Sequence, residues 1–528
     1  MMHLFKKTLF LFVSLLLMNI SSKAQNAVFG PISSPQFGIR VNSVQNMFAN
    51  GDTVWIGPIM NSNIGNALDW RIPENADSLV TGRGRMFAVN ATGRRVLAGV
   101  ATNAQRQGES VATAMGFYYS NDGGTEWSWI QHPLENEDDT TFTYGSEVYT
   151  KLPVIVPEQS PSYEVEIFGD VFFSANWAAG ILRSLDRGQS WERLILPPVN
   201  ISDMQPGERF QFYNASGPNN QPDSPKEYDP RPNNSLSNNY LGYSVLVDQR
   251  GRLWAGTAGG FNVSDNATTA DRSEIRWQHF AFNLNPGKMI GNWVITLQED
   301  VKNEQMWMTN WSTSLSERDG VLQVDLDLNN FKKHLIGERV FDLAIKGDTI
   351  LAVGENGLFI SPDYGKTWIN RKQITSPNSF IRSEARFQST TVTSDGTMWV
   401  GTSDGIATTK DFLSWNIIRT DVPLNGETIY QDQPSVSSYA YPNPFSQNVH
   451  QVVRVKFDVQ NSQSGQIRIF DAAMRLIHQN DLQFGAAGSY EAVWDGKDQS
   501  GYIVANGIYL YAVEVDGKTL KGKIVVAQ

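Results

Sequence analysis

Residues 341–368 read FDLAIKGDTILAVGENGLFISPDYGKTW, and this stretch decides the fold. FDLAIKGD (341–348) is a short strand ending in a Gly-Asp turn. Gly and Asp tolerate positive φ, so the pair suits a tight hairpin. ILAVG (350–354) is an apolar strand that ends in glycine. SPDYGKTW (361–368) is a turn rich in Ser, Asp and Gly that finishes on a tryptophan. Together they read as an antiparallel meander of about four strands.

Working outward, the same plan recurs along the chain. The ILAVG position is repeated as TVWIG (53–57), RVLAG (95–99), DVFFS (170–174), RLWAG (252–256), QMWMT (305–309) and TMWVG (397–401). An aromatic follows each copy: Trp70, Trp127, Trp191, Trp277, Phe331, Trp368 and Trp415. Strands such as YSVLVDQRG (243–251) and TTVTSDG (390–396) stand where FDLAIKGD stands. The spacing between copies is irregular, which indicates variable loops on a constant scaffold. A β-helix would need a shorter and stricter period. The prediction is an all-β chain whose main body is a seven-bladed β-propeller. Each blade is too thin to bury its own faces, and large aromatics fill the space between neighbours.

Composition agrees. The chain has 528 residues, 41% hydrophobic and 18% charged, enough for a sizeable core. It has 15 Trp and no Cys, which excludes disulfides, thiolate metal sites and a cysteine nucleophile. A net charge of −11 argues against a nucleic-acid partner. Residues 1–24 read as a signal peptide: Lys6 and Lys7, an apolar run from Thr8 to Met18, and Ser22-Lys23-Ala24 as the cleavage site. The run is too short to cross a bilayer, and no later segment is long and apolar enough. The expected address is secreted or cell surface, reached through the periplasm, with no membrane span in the mature chain.

Three turns share the spacing S-x-D-x-G-x-[TS]-W: Ser120, Asp122, Gly124 and Trp127; Ser184, Asp186, Gly188 and Trp191; Ser361, Asp363, Gly365 and Trp368. Weaker copies occur at Ser264-Asp265-Asn266 and at Thr409 to Trp415. The spacing resembles the Asp-box (BNR) repeat of sialidase-like and sortilin-type propellers. RLWAGTAGGFNVSD (252–265) and MWVGTSDGIATTKD (398–411) also resemble repeats of two-component-regulator propellers. The resemblance covers about residues 27–425 and implies a structural role for these aspartates, since Asp boxes face away from the active site.

Composition shifts near residue 421. The expected division is a propeller over 25–425, a linker over 426–440 and a small seven-strand sandwich over 441–528. YPNPF (441–445), WDGKDQSG (494–501), NGIYLYAVEVDG (506–517) and GKIVVAQ (522–528) resemble the sorting domain of type IX secretion cargo. They are equally similar to the immunoglobulin-like domain of flagellar hook-capping (FlgD) proteins. The first resemblance implies the type IX secretion machinery as partner, with Gly507, Tyr509, Gly517 and Lys518 in the recognised hairpin. An adhesive or spacer sandwich is the other reading.

Catalytic chemistry is hard to find. Trp70-Arg71-Ile72-Pro73 matches the sialidase RIP motif, but it falls on the last strand of a blade rather than the first. A xyloglucanase-type cleft would need a second propeller. The six histidines are isolated, so no metal and no cofactor is expected. The run Glu135 to Asp139 reads as a solvated loop rather than a calcium site. The alternative to a binding protein is a secreted glycoside hydrolase or sialidase-like enzyme. For an unknown glycan, peptide or protein ligand, the candidate contacts are Arg83, Arg85, Trp177, Asn292, Trp293, Trp311 and Arg386. The insert 197–240 is either a binding loop or disordered.

Overall fold

The computed structural model describes residues 39, 42–58, 61–64, 70–71, 84–106, 108–210, 227–228, 238–285, 287–376, 379–381, 383, 385–419, 436–447, 452–485 and 487–527. The signal peptide, most of the expected linker and Arg83 lie outside them.

Among the described residues up to 418, seven antiparallel sheets each hold a meander of four strands in sequence order, the fourth with an added edge strand. Their first strands are Asn46–Asn50, Arg85–Thr92, Ser162–Phe168, Gly242–Val247, Trp293–Asp300, Val340–Lys346 and Phe387–Val392. Each first strand packs against the next, and Phe387–Val392 packs back on Asn46–Asn50. The sheets are therefore the blades of a closed propeller. The repeated segments TVWIG to TMWVG are all second strands, hydrogen-bonded on both edges and buried on both faces. That is why they read as continuous apolar runs.

Six of the seven first strands carry an irregularity near their start, such as the shifts at Ser162/Glu164 and Val340/Asp342. Such bulges re-aim the side chains around them. Just beyond the bulges a polar belt runs round the ring, one link per blade junction. Asn46 Nδ2 donates to the Met86 carbonyl at 3.0 Å, and Asn90 Nδ2 to Glu166 at 2.8 Å. Glu164 accepts from the Val245 amide at 3.0 Å. Ser244 Oγ donates to the Val294 carbonyl at 3.0 Å, and Thr296 Oγ1 to the Phe341 carbonyl at 2.9 Å. Asp342 accepts from the Thr390 amide at 2.8 Å, and Ser389 Oγ donates to the Val44 carbonyl at 3.1 Å. The last link, with Val44 N to Thr402 O and Gly405 N to Asn42 O, closes the ring without a shared strand.

Tryptophans fill the outer junctions. Trp55 of blade 1 meets Trp127 of blade 2 edge-on at 5.7 Å, and Trp399 of blade 7 meets Trp70 of blade 1 at 6.2 Å. Trp191 of blade 3 stacks on Phe117 of blade 2 at 4.7 Å. Offset and edge-on pairs of this kind add to the burial term.

The insertion between blades 2 and 3 forms a hairpin, Thr141–Tyr144 and Glu147–Lys151, that reaches past blade 3 to blade 4. Tyr144 is fully buried there, and its hydroxyl donates to the carbonyls of Met204 and Ile275. The acidic run before the hairpin is not wholly solvated. Glu135 and Asp139 hold the buried Lys151 ammonium at 2.8 and 2.6 Å, and Glu135 also takes Arg193. Nearby, Asp203–Met204 of the 197–240 insert adds a fifth strand to blade 4.

The C-terminal residues form a sandwich of three and four strands. Phe445, Trp494, Tyr509, Tyr511 and Ile524 are among the residues packed between its sheets.

Candidate binding rim and the Asp-box face

Antiparallel pairing fixes which side chains share an end of the propeller. First strands begin, and second strands end, at one rim; the turns after the third strands lie at the other. The belt links equivalent levels of neighbouring first strands, so this holds around the ring.

The S-x-D-x-G turns fall at the second rim. In each, the Ser Oγ donates to the Asp carboxylate and accepts from the Gly amide: 2.8 and 2.9 Å at Ser120, 2.8 and 2.7 Å at Ser184, 3.0 and 2.7 Å at Ser361. The carboxylate then caps amides further on, Glu126, Ser190 and Thr367. Donors of this kind favour the ionised form, and Asp122, Asp186 and Asp363 all lie below the usual carboxylate range. The glycine has a second duty. Gly124, Gly188 and Gly365 have φ of +87°, +87° and +83°, and a Cβ at each would run into a side chain of the preceding blade: Trp55, Ile130 and His334. Each turn is thus a seal between blades.

The first rim gathers the aromatic side chains outside the repeat. Trp177 follows the second strand of blade 3, and Trp293 opens blade 5. Their rings stand 5.9 Å apart, edge to face. Tyr243 lies between them at 5.1 and 5.3 Å, and Tyr163 contacts Tyr243 at 5.6 Å. Trp177 and Tyr243 are buried, while Tyr163 and Trp293 are half-buried. Trp311 is at the same rim but is structural. Its Nε1 donates to the Val340 carbonyl at 2.6 Å, and the Arg339 guanidinium lies 4.9 Å over its ring. Asn292 is likewise committed, donating to Glu317 and accepting from the Phe282 amide.

Arg85, Arg339 and Arg386 occupy equivalent places, each immediately before the residue that precedes the bulge. Arg339 escaped the sequence reading, although it stands just ahead of FDLAIKGD. It pairs with Asp319 at 3.0 Å. Burial lowers the Arg85 pKa. The Arg386 amide donates to Ser403 Oγ, and its carbonyl accepts from the Ser403 amide. Tyr163 and Tyr243 also escaped, because a bulge position has no signature in a single sequence.

Below this rim the first strands carry three acids. Glu164, Glu166 and Asp342 are half-buried. Burial raises Glu166 to about 8 and Asp342 to about 7. Burial also pushes Glu164 well above the carboxylate range, with repulsion from Glu166 and Asp342 added.

In the sandwich, Gly507 opens the strand Gly507–Val515, and Gly517 and Lys518 lie at its turn into Lys518–Val526. Tyr509 is in the core, 5.4 Å from Trp494. The turn is anchored by Asp516, which accepts from the amides of Gln460, Asn461 and Ser462. Those donors hold its pKa down at about 2. The sequence reading missed this residue.

Comparison with known proteins follows this division. Residues 446–518 match the FlgD Ig-like domain family. The curated proteins contain no match. Among solved structures, the chain resembles PorZ, a surface component of the type IX secretion system of Porphyromonas gingivalis. Identity is 13% over 95% of this chain and 76% of that one, with a TM-score of 0.33. It also resembles the GH74 xyloglucanase of Xanthomonas campestris at 12% identity over 94% and 74%, TM-score 0.48. YCF48 of Cyanidioschyzon merolae gives 14% over 70% and 96%, TM-score 0.40. These are likenesses of fold.

Proposed function

We propose that the protein is a secreted or cell-surface β-propeller that binds a glycan, peptide or protein ligand without chemistry, and that it leaves the cell by type IX secretion. The ligand lies on the first rim, against the half-buried rings of Tyr163 and Trp293, which the buried Trp177 and Tyr243 hold in place. The grouping of these four rings, outside the repeat, carries the reading. Such surfaces stack on sugar faces and on cationic or aromatic side chains. Arg85 and Arg386 add positive charge at the same rim, on blades 2 and 7. The second-rim turns are Asp boxes in this reading, and they hold the scaffold.

Three arginines at equivalent rim positions favour the alternative, a sialidase-like enzyme. Two observations weigh against it. Arg339 is taken by Asp319 and Trp311. Glu164, the acid beside Tyr163, accepts from the Val245 amide. A glycan array combined with a hydrolysis screen separates the two; turnover of any sialoside or glucan overturns the binding reading.

The sandwich is the sorting domain in this reading, presenting the hairpin that contains Gly507, Gly517 and Lys518. Deleting residues 438–528 should strand the propeller in the periplasm. Unchanged export would refute it.

A further inference from the structure

Four charges, three of them buried and Glu491 half-buried, join the propeller to the sandwich. Asp404 lies in the turn after the second strand of blade 7, and Arg419 just past the end of its fourth strand. Arg454 and Glu491 come from neighbouring sandwich strands, Val453–Val459 and Gly488–Trp494. Asp404, Arg419 and Arg454 are 6%, 7% and 2% exposed. Each charge meets both of its opposites. Asp404 Oδ2 is 3.3 Å from Arg419 and 2.8 Å from Arg454. Glu491 Oε2 is 2.9 Å from Arg419 and 3.5 Å from Arg454. Around the cluster, the Tyr441 hydroxyl donates to Glu491, and Arg419 donates to the carbonyls of Asp404 and Phe380. The Arg454 guanidinium lies 5.3 Å over the Phe380 ring.

Two of the four pairs, Asp404–Arg454 and Arg419–Glu491, cross the junction. The other two lie within one domain each. Separation would therefore leave each domain a neutral pair rather than a bare charge, which removes the main penalty of an isolated buried ion. In the joined state each carboxylate gains a second guanidinium. Alternating charge of this kind specifies one partner in one orientation.

We propose that this cluster makes the sandwich a docked partner of blade 7 that stays bound when the covalent connection is cut. The surface built from Asp404 and Arg419 of blade 7 and from Phe380 of the hairpin that precedes it fits one occupant: this chain's own sandwich, presenting Arg454, Glu491 and Tyr441. The docking site lies at the first rim, since Asp404 follows Ser403, which holds the Arg386 backbone. Proteolysis of the connecting residues would then nick the protein without shedding the sandwich. This inference depends neither on the ligand nor on the export route.

The test uses the full chain with a specific protease site placed within residues 424–432. After complete cleavage at micromolar concentration and moderate salt, the two pieces should co-elute in gel filtration. Arg454→Asp should weaken retention on the order of 30-fold or more, as expected when one member of a buried charge pair is reversed. Inverting all four charges together (Asp404→Arg, Arg419→Glu, Arg454→Asp and Glu491→Arg) restores opposite charge at every contact and should recover much of it. Circular dichroism of each cleaved sample checks that both pieces stay folded. Folded pieces that separate with the native cluster overturn the proposal. So does retention that neither the single charge reversal nor the full inversion alters.

Discussion

Two adjacent glycines offer a controlled test of the seal made by the S-x-D-x-G turn. Gly123 and Gly124 have nearly the same backbone, with φ of +84° and +87°. A Cβ at Gly123 would meet nothing within 4 Å. A Cβ at Gly124 would run into Cη2 of Trp55 on the preceding blade, and would stand 3.2 Å from Cζ2 of both Trp55 and Trp127. Neither ring has room to retreat, because each is about 95% buried or more against the other. Gly123→Ala therefore carries the left-handed backbone penalty alone, about 1–2 kcal/mol. Gly124→Ala carries the same penalty plus overpacking of about 1–3 kcal/mol. The expected total is about 2–5 kcal/mol. Urea unfolding followed by tryptophan fluorescence reads both, as shifts of midpoint at constant slope. Equal shifts for the two variants would refute the claim that this turn seals the junction between blades 1 and 2.

Three acids on the first strands make stability depend on pH. Glu164, Glu166 and Asp342 have folded pKa values above their unfolded ones, so the folded state holds extra protons and stability falls as pH rises. The contribution is complete below about 4, the unfolded range, and is lost as pH climbs through about 7 for Asp342 and about 8 for Glu166. Thermal melts should decline over that window, and Glu166→Gln should flatten the decline; a pH-independent melting temperature would contradict it. Asp516 works in the opposite direction. Its folded pKa of about 2 means its stabilisation is present at neutral pH and is lost as acid protonates it. Asp516→Ala should raise hydrogen exchange at the amides of 460–462, and unchanged exchange would remove its anchoring role. Tyr144→Phe leaves two buried carbonyls without their donor and should cost about 1–3 kcal/mol in unfolding experiments. A smaller effect than that of a surface Tyr→Phe control would argue against the reach of the hairpin to blade 4.

What was legible in the sequence was set by local chemistry. The second strands are buried on both faces, so TVWIG through TMWVG read as apolar runs whatever their loops do. The S-x-D-x-G turns are legible because Ser, Asp, Gly and Trp all act within eight residues. The belt is not, because its members are Asn, Glu, Ser, Thr and Asp in different blades; each junction solves the same problem with a different side chain. Tyr163 and Tyr243 reach the rim through bulges, which depend on pairing rather than composition. The cluster of Asp404, Arg419, Arg454 and Glu491 is spread over 404–491, and no local pattern announces it. Trp311 and Asn292 are off the repeat and were read as contacts. The structure binds both internally, which leaves Trp177 and Trp293 as the informative pair of that set.

The central claim is recognition without chemistry at the first rim. The most direct measurement is calorimetric titration of the mature protein with the strongest ligand from a glycan and peptide array, beside Trp293→Ala, with the ligand recovered and analysed afterwards. Loss of one stacking ring should weaken binding about tenfold, in keeping with a contact worth roughly 1–2 kcal/mol, and the ligand should return intact. Unaltered affinity in Trp293→Ala, or a ligand returned as cleaved product, would contradict the account.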